Sequence, residues 1–215
     1  MSQAKPRETR SYGLNDPTNH VVEEWPKSKR DLYEAARTLF WEKGFGEASV
    51  QDIVSAAGLT KGAFYHYFGA KDDLLEIMFD RSLVRLMRAL ELQHGQDLTV
   101  VETLHGLIRE MVFVVREYRI EVALFWELYR RQPRALSKSN ADRRRRFYRS
   151  ITELAQRGID NGELDAQLNP QIFAMALIGI CQHSQHWFVP GRGVTLDELA
   201  SSIGRLILEG AVRRG

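Results

Sequence analysis

Apolar residues recur at steps of three and four along nearly all of the chain after residue 27, which is the pattern of amphipathic helices. The first such segment begins at Ser28 and ends near Gly44, a residue type typical of helix ends. No segment alternates apolar and polar residues between turn pairs, so a β-sheet is not expected. The pattern predicts an all-α protein of about nine helices.

Capping residues define where the early helices begin. Ser49 stands three residues before Asp52, as in a capping box, and the short helix that follows ends at Gly58. Thr60 can cap a third helix that runs to about Phe68. A fourth, long helix begins near residue 71. The remaining helices are predicted at 98–118, 120–132, 137–161, 170–188 and 195–212.

Composition fits a globular protein of one or two domains, because 44% of the 215 residues are hydrophobic and 27% are charged. The net charge of +2 does not draw the chain to nucleic acid, so any such binding depends on a local arrangement of basic residues. Residues 1–27 are polar and hold three of the six prolines, which predicts a flexible N-terminal arm. Its Lys5, Arg7 and Arg10 are either phosphate contacts or part of a solvated tail.

The chain shows no sign of export or membrane insertion. Its single cysteine, Cys181, cannot form an intramolecular disulfide and stands in an apolar segment, which suggests a buried thiol and a reducing cytoplasm. The N-terminus lacks the apolar segment of a signal peptide. The longest apolar run, 172–181, is too short to span a bilayer of about 30 Å.

The segment from Thr60 to Lys71, TKGAFYHYFGAK, holds four aromatic residues and a histidine in five consecutive positions. Phe64 and Phe68, four residues apart, share one helix face that is expected to pack inward, whereas Tyr65 lies toward another face. The helix before it, the step at 58–60 and this helix have the dimensions of a helix-turn-helix, whose second helix enters the DNA major groove.

These segments resemble the TetR family of one-component transcriptional repressors. The resemblance covers residues 32 to about 75 and rests on four motifs in order, which are AxxLF at 36–40, KGF at 43–45, SVxDI at 49–53 and AGLTKGAFYHYFGAKDDL at 57–74. It implies a helix-turn-helix DNA-binding domain at 28–72 and an effector-binding and dimerisation domain at 73–215.

The resemblance also implies which side chains meet DNA. Tyr65, Tyr67 and Lys71 are expected at phosphates. Residues 60–62 are expected at the groove, where free backbone N–H groups favour phosphate oxygens, and Gln51 is expected near a base edge. Basic and acidic residues number five each over 28–70, which predicts a modest salt dependence of binding. The predicted DNA-contacting set is Ser49, Gln51, Thr60, Lys61, Gly62, Tyr65, His66, Tyr67 and Lys71.

The DNA-binding domain predicted at 28–72, called the reader below, is expected to work in a homodimer. A palindromic double-stranded operator needs two such domains about one DNA turn apart. The resemblance implies that the last two helices form a four-helix bundle with those of a second copy. Burial of these helices within one chain is the alternative. The predicted dimer contacts are Met175, Ile178, Gly179, Leu199, Ser202, Ile203 and Leu206.

By the same resemblance, an effector cavity lies among the fourth to eighth helices. Between 129 and 149 the chain carries nine basic residues against one acidic residue, which indicates either a solvated helix face or a site for an anionic head group. The motifs WxxPG at 187–191 and FWE at 125–127 are similar to those of the family branch that controls lipid or sterol degradation and responds to acyl-CoA thioesters. A plain hydrophobic effector is the alternative. The predicted lining residues are Phe113, Phe125, Trp126, Tyr129, Arg130, Arg146, Tyr148, His183 and Trp187.

Two other classes of function, a metal-binding enzyme and a helical adaptor, are alternatives to a regulator. His183 and His186, three residues apart and close to Cys181, could belong to a metal-binding enzyme, but no carboxylate is spaced with them. No Ser/His/Asp order, phosphate loop or CxxC pair appears. A helical adaptor that binds a protein through the arginine-rich segment is the other possibility. The sequence therefore predicts no catalytic residue, no metal and no cofactor.

Overall fold

The computed structural model describes residues 24–94, 97–131, 138–189 and 193–210, with the side chains of 93–94, 127–131 and 138–139 left aside. Most of the predicted N-terminal arm lies outside these residues. Its last part is structured, because Trp25 is buried against Tyr33 at a ring distance of 5.7 Å and Lys27 begins the first helix.

Nine helices account for most of the described residues, and the predicted all-α fold is confirmed. Their bounds agree with the sequence pattern to within a few residues. They are α1 (Lys27–Lys43), α2 (Val50–Ala56), α3 (Lys61–Tyr67), α4 (Lys71–His94), α5 (Val100–Glu117), α6 (Arg119–Arg131), α7 (Lys138–Asp160), α8 (Pro170–Trp187) and α9 (Leu196–Leu208).

Local chemistry explains where several helices begin and end. Ser49, Thr99 and Thr195 each form a capping box with the acidic residue three positions later, which satisfies two backbone N–H groups at the start of the helix. Gly44 and Gly58 adopt positive φ angles of 85° and 66°, a conformation that glycine reaches without steric cost. No helix of the described residues has the length and apolar character needed to cross a membrane.

Two apolar cores divide the described chain. The first is formed by α1, α2, α3 and the first two turns of α4 as far as Met78. The second begins at Phe79 and unites the rest of α4 with α5 to α9. α4 thus contributes to both cores, and the domain boundary expected at residue 72 stays a prediction.

Polar contacts and one α6 side chain also join the two halves. The Arg37 guanidinium of α1 lies 2.6 Å from the carboxylate of Glu121, which is buried in α6. Arg81 of α4 donates to the Tyr33 hydroxyl at 3.0 Å. Leu124 of α6 is buried within the first core. The reader end of the molecule is therefore fixed to the second core through both α4 and α6.

Candidate functional site

The α2–α3 unit has a helix-turn-helix geometry that its own sequence explains. Gly58 turns the chain with its positive φ, and the Leu59 amide donates to the Val54 carbonyl at 2.8 Å. Thr60 then caps α3 by accepting a hydrogen bond from the Ala63 amide at 3.2 Å. The buried rings of Phe64 and Phe68 hold α3 on the first core.

One face of α3 is open to solvent. Tyr65 is 51% exposed, and Lys61, Gly62 and His66 are exposed beside it. Gln51 is exposed on the preceding helix, where its amide donates to the Ser55 hydroxyl at 3.2 Å. We refer to Gln51, Thr60, Lys61, Gly62, Tyr65 and His66 as the reader face.

Nothing in the described part of the chain requires glycine at position 62. A Cβ atom built there would meet only the Thr60 hydroxyl, at an ordinary contact distance of 3.6 Å, and the φ angle is not in the left-handed region. The absence of a side chain therefore leaves room for a molecule outside the chain at the N-terminal end of α3.

Three residues predicted to meet DNA are engaged within the protein. The Tyr67 hydroxyl shares a hydrogen bond of 2.8 Å with Ser28. Ser49 caps α2, and hydrogen bonds from Ser49 hold the pKa of the Asp52 carboxyl below its usual value. The Lys71 ammonium donates to the carbonyl oxygens of Phe45, Gly46 and Ala48, at 2.7, 3.3 and 2.8 Å.

Lys71 therefore has a different arrangement from the phosphate contact expected of it. A lysine ammonium has three N–H donors, and here all three point to the turn between α1 and α2. This turn precedes α2, the first helix of the helix-turn-helix. Lys71 therefore helps to hold the helix-turn-helix in place from its protein-facing side.

Replacing Lys71 by methionine is expected to destabilise the protein by about 2 kcal/mol, because three carbonyls lose a charged donor while the side-chain stem is kept. Urea unfolding followed by circular dichroism measures the change. Lys61→Met on the exposed face is the control and should change stability by less than about 0.5 kcal/mol. If Lys71→Met is as stable as the control, the ammonium does not hold this turn.

A cavity of about 550 Å³ lies between α4, α6, α7 and α8. Two predicted lining residues, Trp126 and Tyr148, are on its wall, and the Tyr148 hydroxyl donates to the Gln171 carbonyl at 2.9 Å. The sequence analysis did not include Phe79 and Leu83 of α4 or Phe147 of α7, because their apolar character is equally typical of an ordinary core. The wall consists of Phe79, Leu83, Trp126, Ala141, Arg144, Arg145, Phe147, Tyr148, Met175, Ile178, Gly179 and Gln182.

The other predicted lining residues are not on this wall. Phe125 is fully buried behind it, stacked on Phe79 with ring centroids 3.4 Å apart. Phe113 lies on α5 beneath the Arg109 guanidinium. Arg146 of α7 is exposed outside the wall, as are His183 and Trp187 of α8. The side chains of Tyr129 and Arg130 lie outside the described residues.

The four consecutive arginines of α7 point to different surroundings, as a helix requires. Arg143 is buried, whereas Arg144 lies 5.4 Å above the Phe125 ring and 5.3 Å from the Trp126 ring. Arg145 pairs with Asp142 one turn earlier. Only Arg144 and Arg145 of the run reach the cavity wall.

A buried polar cluster fixes α7 to α4 beside this cavity. Asp80 of α4 is fully buried and lies 3.1 Å from the Arg143 guanidinium and 3.0 Å from the Asn140 amide nitrogen. Burial raises the pKa of the Asp80 carboxyl to about 6, although the nearby Arg143 opposes this shift. The preceding residue on α4, Phe79, lies on the cavity wall.

The predicted dimer residues fall into two groups. Leu199 and Ile203 are only 5% and 4% exposed and pack in the second core, so they cannot reach another chain without unfolding. The reason is that α9 presents this side to α5, where a Cβ at Gly204 would lie 2.8 Å from the His105 ring.

The remaining predicted dimer residues are accessible. Leu206 is 73% exposed on α9, with Ser202 exposed one turn earlier. On α8, Met175 and Gly179 are exposed, and together with the partly buried Ile178 they also line the cavity. The outward side of α8 continues with exposed Ile172 and Trp187.

The residues considered for a metal site are separated. The rings of His183 and His186 lie 5.0 Å apart on the exposed side of α8. Cys181 is fully buried, and burial raises the pKa of its thiol to about 12. Within the described ranges, no three histidine, cysteine, aspartate or glutamate residues are grouped as metal ligands.

A helix-turn-helix with an open face, joined through α4 and α6 to a helical half that contains a cavity, defines a DNA-binding regulator with a sensing domain. The chain belongs to the TetR family. Residues 28–78 match the model of bacterial regulatory proteins of the tetR family, and residues 97–211 match that of the tetracyclin repressor-like C-terminal domain. The predictions of the family and of a regulator rather than an enzyme are confirmed.

Similar proteins extend over most of the chain. The transcriptional repressor KstR2 of Mycobacterium tuberculosis (strain H37Rv) is 22% identical over 188 residues, which are 86% of this chain and 93% of KstR2. The fatty acid metabolism regulator protein of Bacillus subtilis is 23% identical over 190 residues, 86% of this chain and 97% of the regulator.

Solved structures share the fold. The structure of the ketosteroid transcriptional regulator KstR2 of Mycobacterium tuberculosis superposes with a TM-score of 0.73 at 21% identity, and the match covers 86% of this chain and 94% of KstR2. AibR in complex with isovaleryl coenzyme A and operator DNA gives a TM-score of 0.69 at 20% identity, with coverage of 85% and 98%.

Proposed function

We propose that the protein is a cytoplasmic homodimeric repressor that leaves a palindromic operator when an acyl-CoA thioester occupies the cavity between α4, α6, α7 and α8. The observation that carries the proposal is the composition of the cavity wall. Apolar residues of four helices form a chamber of about 550 Å³, and Arg144 and Arg145 stand on one side of it.

The wall has an apolar part and a positively charged part, which suit the acyl chain and the phosphates of an acyl-CoA. Phe79, Leu83 and Phe147 offer an apolar surface to an acyl chain. A guanidinium pairs with phosphate oxygens through two parallel hydrogen bonds, so Arg144 and Arg145 suit the phosphates of coenzyme A. Relatives support this class of effector, since AibR was solved with isovaleryl coenzyme A and a Bacillus relative is named for fatty acid metabolism.

The reader face is proposed to contact DNA through the N-terminal end of α3. Backbone N–H groups and the positive end of the helix dipole favour phosphate there, and Tyr65 and His66 can reach the duplex from the same side. A second copy is proposed to pack on the outward sides of α8 and α9. Exposed Ile172, Met175 and Leu206 supply apolar area on these helices, and the small Gly179 allows close approach.

Signal transfer is proposed to run through α4. Its first turns belong to the core of the reader, whereas Phe79 and Leu83 line the cavity. A ligand that fits best when α4 is displaced relative to α7 would therefore move the two readers away from successive major grooves. Such coupling between two sites is typically about 1–3 kcal/mol.

An electrophoretic mobility shift with DNA from upstream of the coding sequence tests the proposal. Isovaleryl-CoA and hexadecanoyl-CoA are added beside the matching free acids and coenzyme A alone. We expect at least one thioester to weaken DNA binding about 5- to 150-fold, whereas its free acid does not.

The Arg144→Gln/Arg145→Gln variant should bind DNA like wild type but need at least tenfold more thioester for release. Arg149→Gln, an exposed arginine of α7 outside the wall, is the control and should respond like wild type. Equal release by thioester and free acid in all three proteins would favour a plain hydrophobic effector instead.

A further inference from the structure

We propose that the protein has a second ligand site, for a small carboxylic acid that also carries a hydrogen-bond donor, in a cavity between the C-terminal ends of α5 and α8 and the start of α9. This cavity measures about 310 Å³ and shares no lining residue with the larger one. Its volume lies at the lower end of the range for small-molecule sites, so it suits a much smaller ligand than an acyl-CoA.

Two arginines give the cavity a positive side. Arg116 of α5 and Arg119 of α6 line it, and His186 lies on the same wall. Among the residues that the structure describes, no aspartate or glutamate lines it. A carboxylate can therefore approach two guanidinium groups without facing a like charge.

The acidic residues closest to this cavity along the chain already have other partners. Glu117 pairs with Arg85, and Glu121 pairs with Arg37. At the start of α9, Asp197 pairs with Arg109 at 2.9 Å, and the Glu198 carboxylate accepts hydrogen bonds from the Thr195 amide and hydroxyl. Neither Arg116 nor Arg119 forms an ion pair within the described part of the chain, so their charges are available to an external anion.

The remaining lining residues favour a ligand that has a short apolar part and one hydrogen-bond donor. Gln185 lines the cavity, and its Oε1 atom is buried and accepts no hydrogen bond from any described residue. A buried acceptor without a partner is costly, so a ligand hydroxyl or amide N–H at this position would be favoured. The apolar part of the wall consists of Val112, Val115, Phe188, Val189, Leu196 and Leu199.

This cavity also adjoins the reader half of the molecule. The Arg119 guanidinium lies 5.2 Å from the ring of Trp41 on α1, in a cation–π contact. A carboxylate that draws Arg119 toward the cavity would weaken this contact. Occupancy of the site would thus change both the environment of a half-exposed tryptophan and a contact between α6 and the reader.

Isothermal titration calorimetry on the full chain with 4-hydroxybenzoate tests the proposal, because this probe carries a carboxylate and a hydroxyl at opposite ends of a flat apolar ring. We expect saturable binding that weakens at least tenfold in Arg116→Gln/Arg119→Gln and is absent for the uncharged 4-hydroxybenzamide. Gln185→Leu should weaken 4-hydroxybenzoate but leave benzoate, which has no hydroxyl, unchanged.

Two comparisons locate the binding and keep its outcome separate from that of the acyl-CoA proposal. Arg144→Gln/Arg145→Gln, on the wall of the larger cavity, should bind 4-hydroxybenzoate like wild type. Tryptophan emission should shift on binding in wild type but not in Trp41→Phe. The proposal is overturned if millimolar probe gives no saturable heat, if the Arg116/Arg119 variant binds unchanged, or if the Arg144/Arg145 variant loses binding.

Discussion

Replacing Gly62 by glutamate is expected to weaken operator binding by at least 100-fold, or about 3 kcal/mol, while leaving the chain as stable as wild type. The second position of α3 has space for a side chain, because among the described residues a Cβ atom there meets only the Thr60 hydroxyl. An acidic residue in the first turn of a helix is favoured by the helix dipole, so the free protein tolerates the change. On DNA, the same carboxylate would lie close to a phosphate and repel it. In a dimer this repulsion would occur twice, once in each DNA-binding domain.

Mobility-shift titration measures the expected loss of DNA affinity, and urea unfolding measures the expected unchanged stability. Gln171→Glu is a matched control, because it puts the same charge at the second position of α8, in the second half of the chain. It should bind DNA like wild type. Gly62→Ala adds only a Cβ atom and should give a smaller loss than glutamate. Unchanged DNA affinity of the folded Gly62→Glu variant would remove α3 from the proposed DNA contact.

Replacing Arg143 by methionine is expected to lower the free energy of unfolding by about 3–5 kcal/mol at pH 7.5. The reason is that the fully buried Asp80 loses its guanidinium partner, so at this pH it must either hold an unpaired negative charge or take up a proton. The loss should affect the joint between α4 and α7, so the effector response is expected to suffer even where the chain remains folded.

The effect of this change should depend on pH. The pKa of Asp80 is raised to about 6 in the folded chain, above its ordinary value of 3.8, so the folded state binds this proton more tightly than the unfolded state. The stability contributed by protonated Asp80 is complete below about pH 4 and is lost as the pH rises through about 6. Without the favourable charge of Arg143 the pKa rises further, so Arg143→Met should be less damaging at pH 5 than at pH 7.5.

Urea unfolding at pH 5 and pH 7.5 tests this expectation. Arg145→Met is the control on the same helix, since Arg145 is exposed and pairs only with the half-exposed Asp142 among the described residues. Its loss should stay below about 0.5 kcal/mol at both pH values. The double variant Asp80→Asn/Arg143→Met should recover part of the stability, because the buried charge is gone. Equal losses at both pH values would contradict the role given to the Asp80 carboxyl.

Local sequence signals carried most of the helix assignment. Ser49 with Asp52, Thr60 and Gly58 each act over a few residues, so their effect can be read without knowing the rest of the fold. The inward position of Phe64 and Phe68 and the exposure of Tyr65 follow from helix periodicity alone in the same way.

Features that depend on distant segments could not be read in this manner. Lys71 donates hydrogen bonds to carbonyls more than twenty residues earlier, in the turn between α1 and α2. No local sequence pattern predicts this turn as its partner. Leu199 and Ile203 occupy the apolar side of an amphipathic helix, but periodicity does not say whether another helix of the same chain or a second chain covers that side. The packing of α9 on α5 decides the matter for this side of the helix.

The position of Leu124 and of the partly buried Ile120 in the first core has a practical consequence for building chimeric regulators. A reader segment cut after Met78 and grafted onto another sensor would lose these two aliphatic partners and leave a hydrophobic gap at its base. The host would have to offer side chains of matching shape at the start of its own α6. Exchange of DNA specificity between such proteins therefore depends on packing between the first core and α6 as much as on the residues that contact bases.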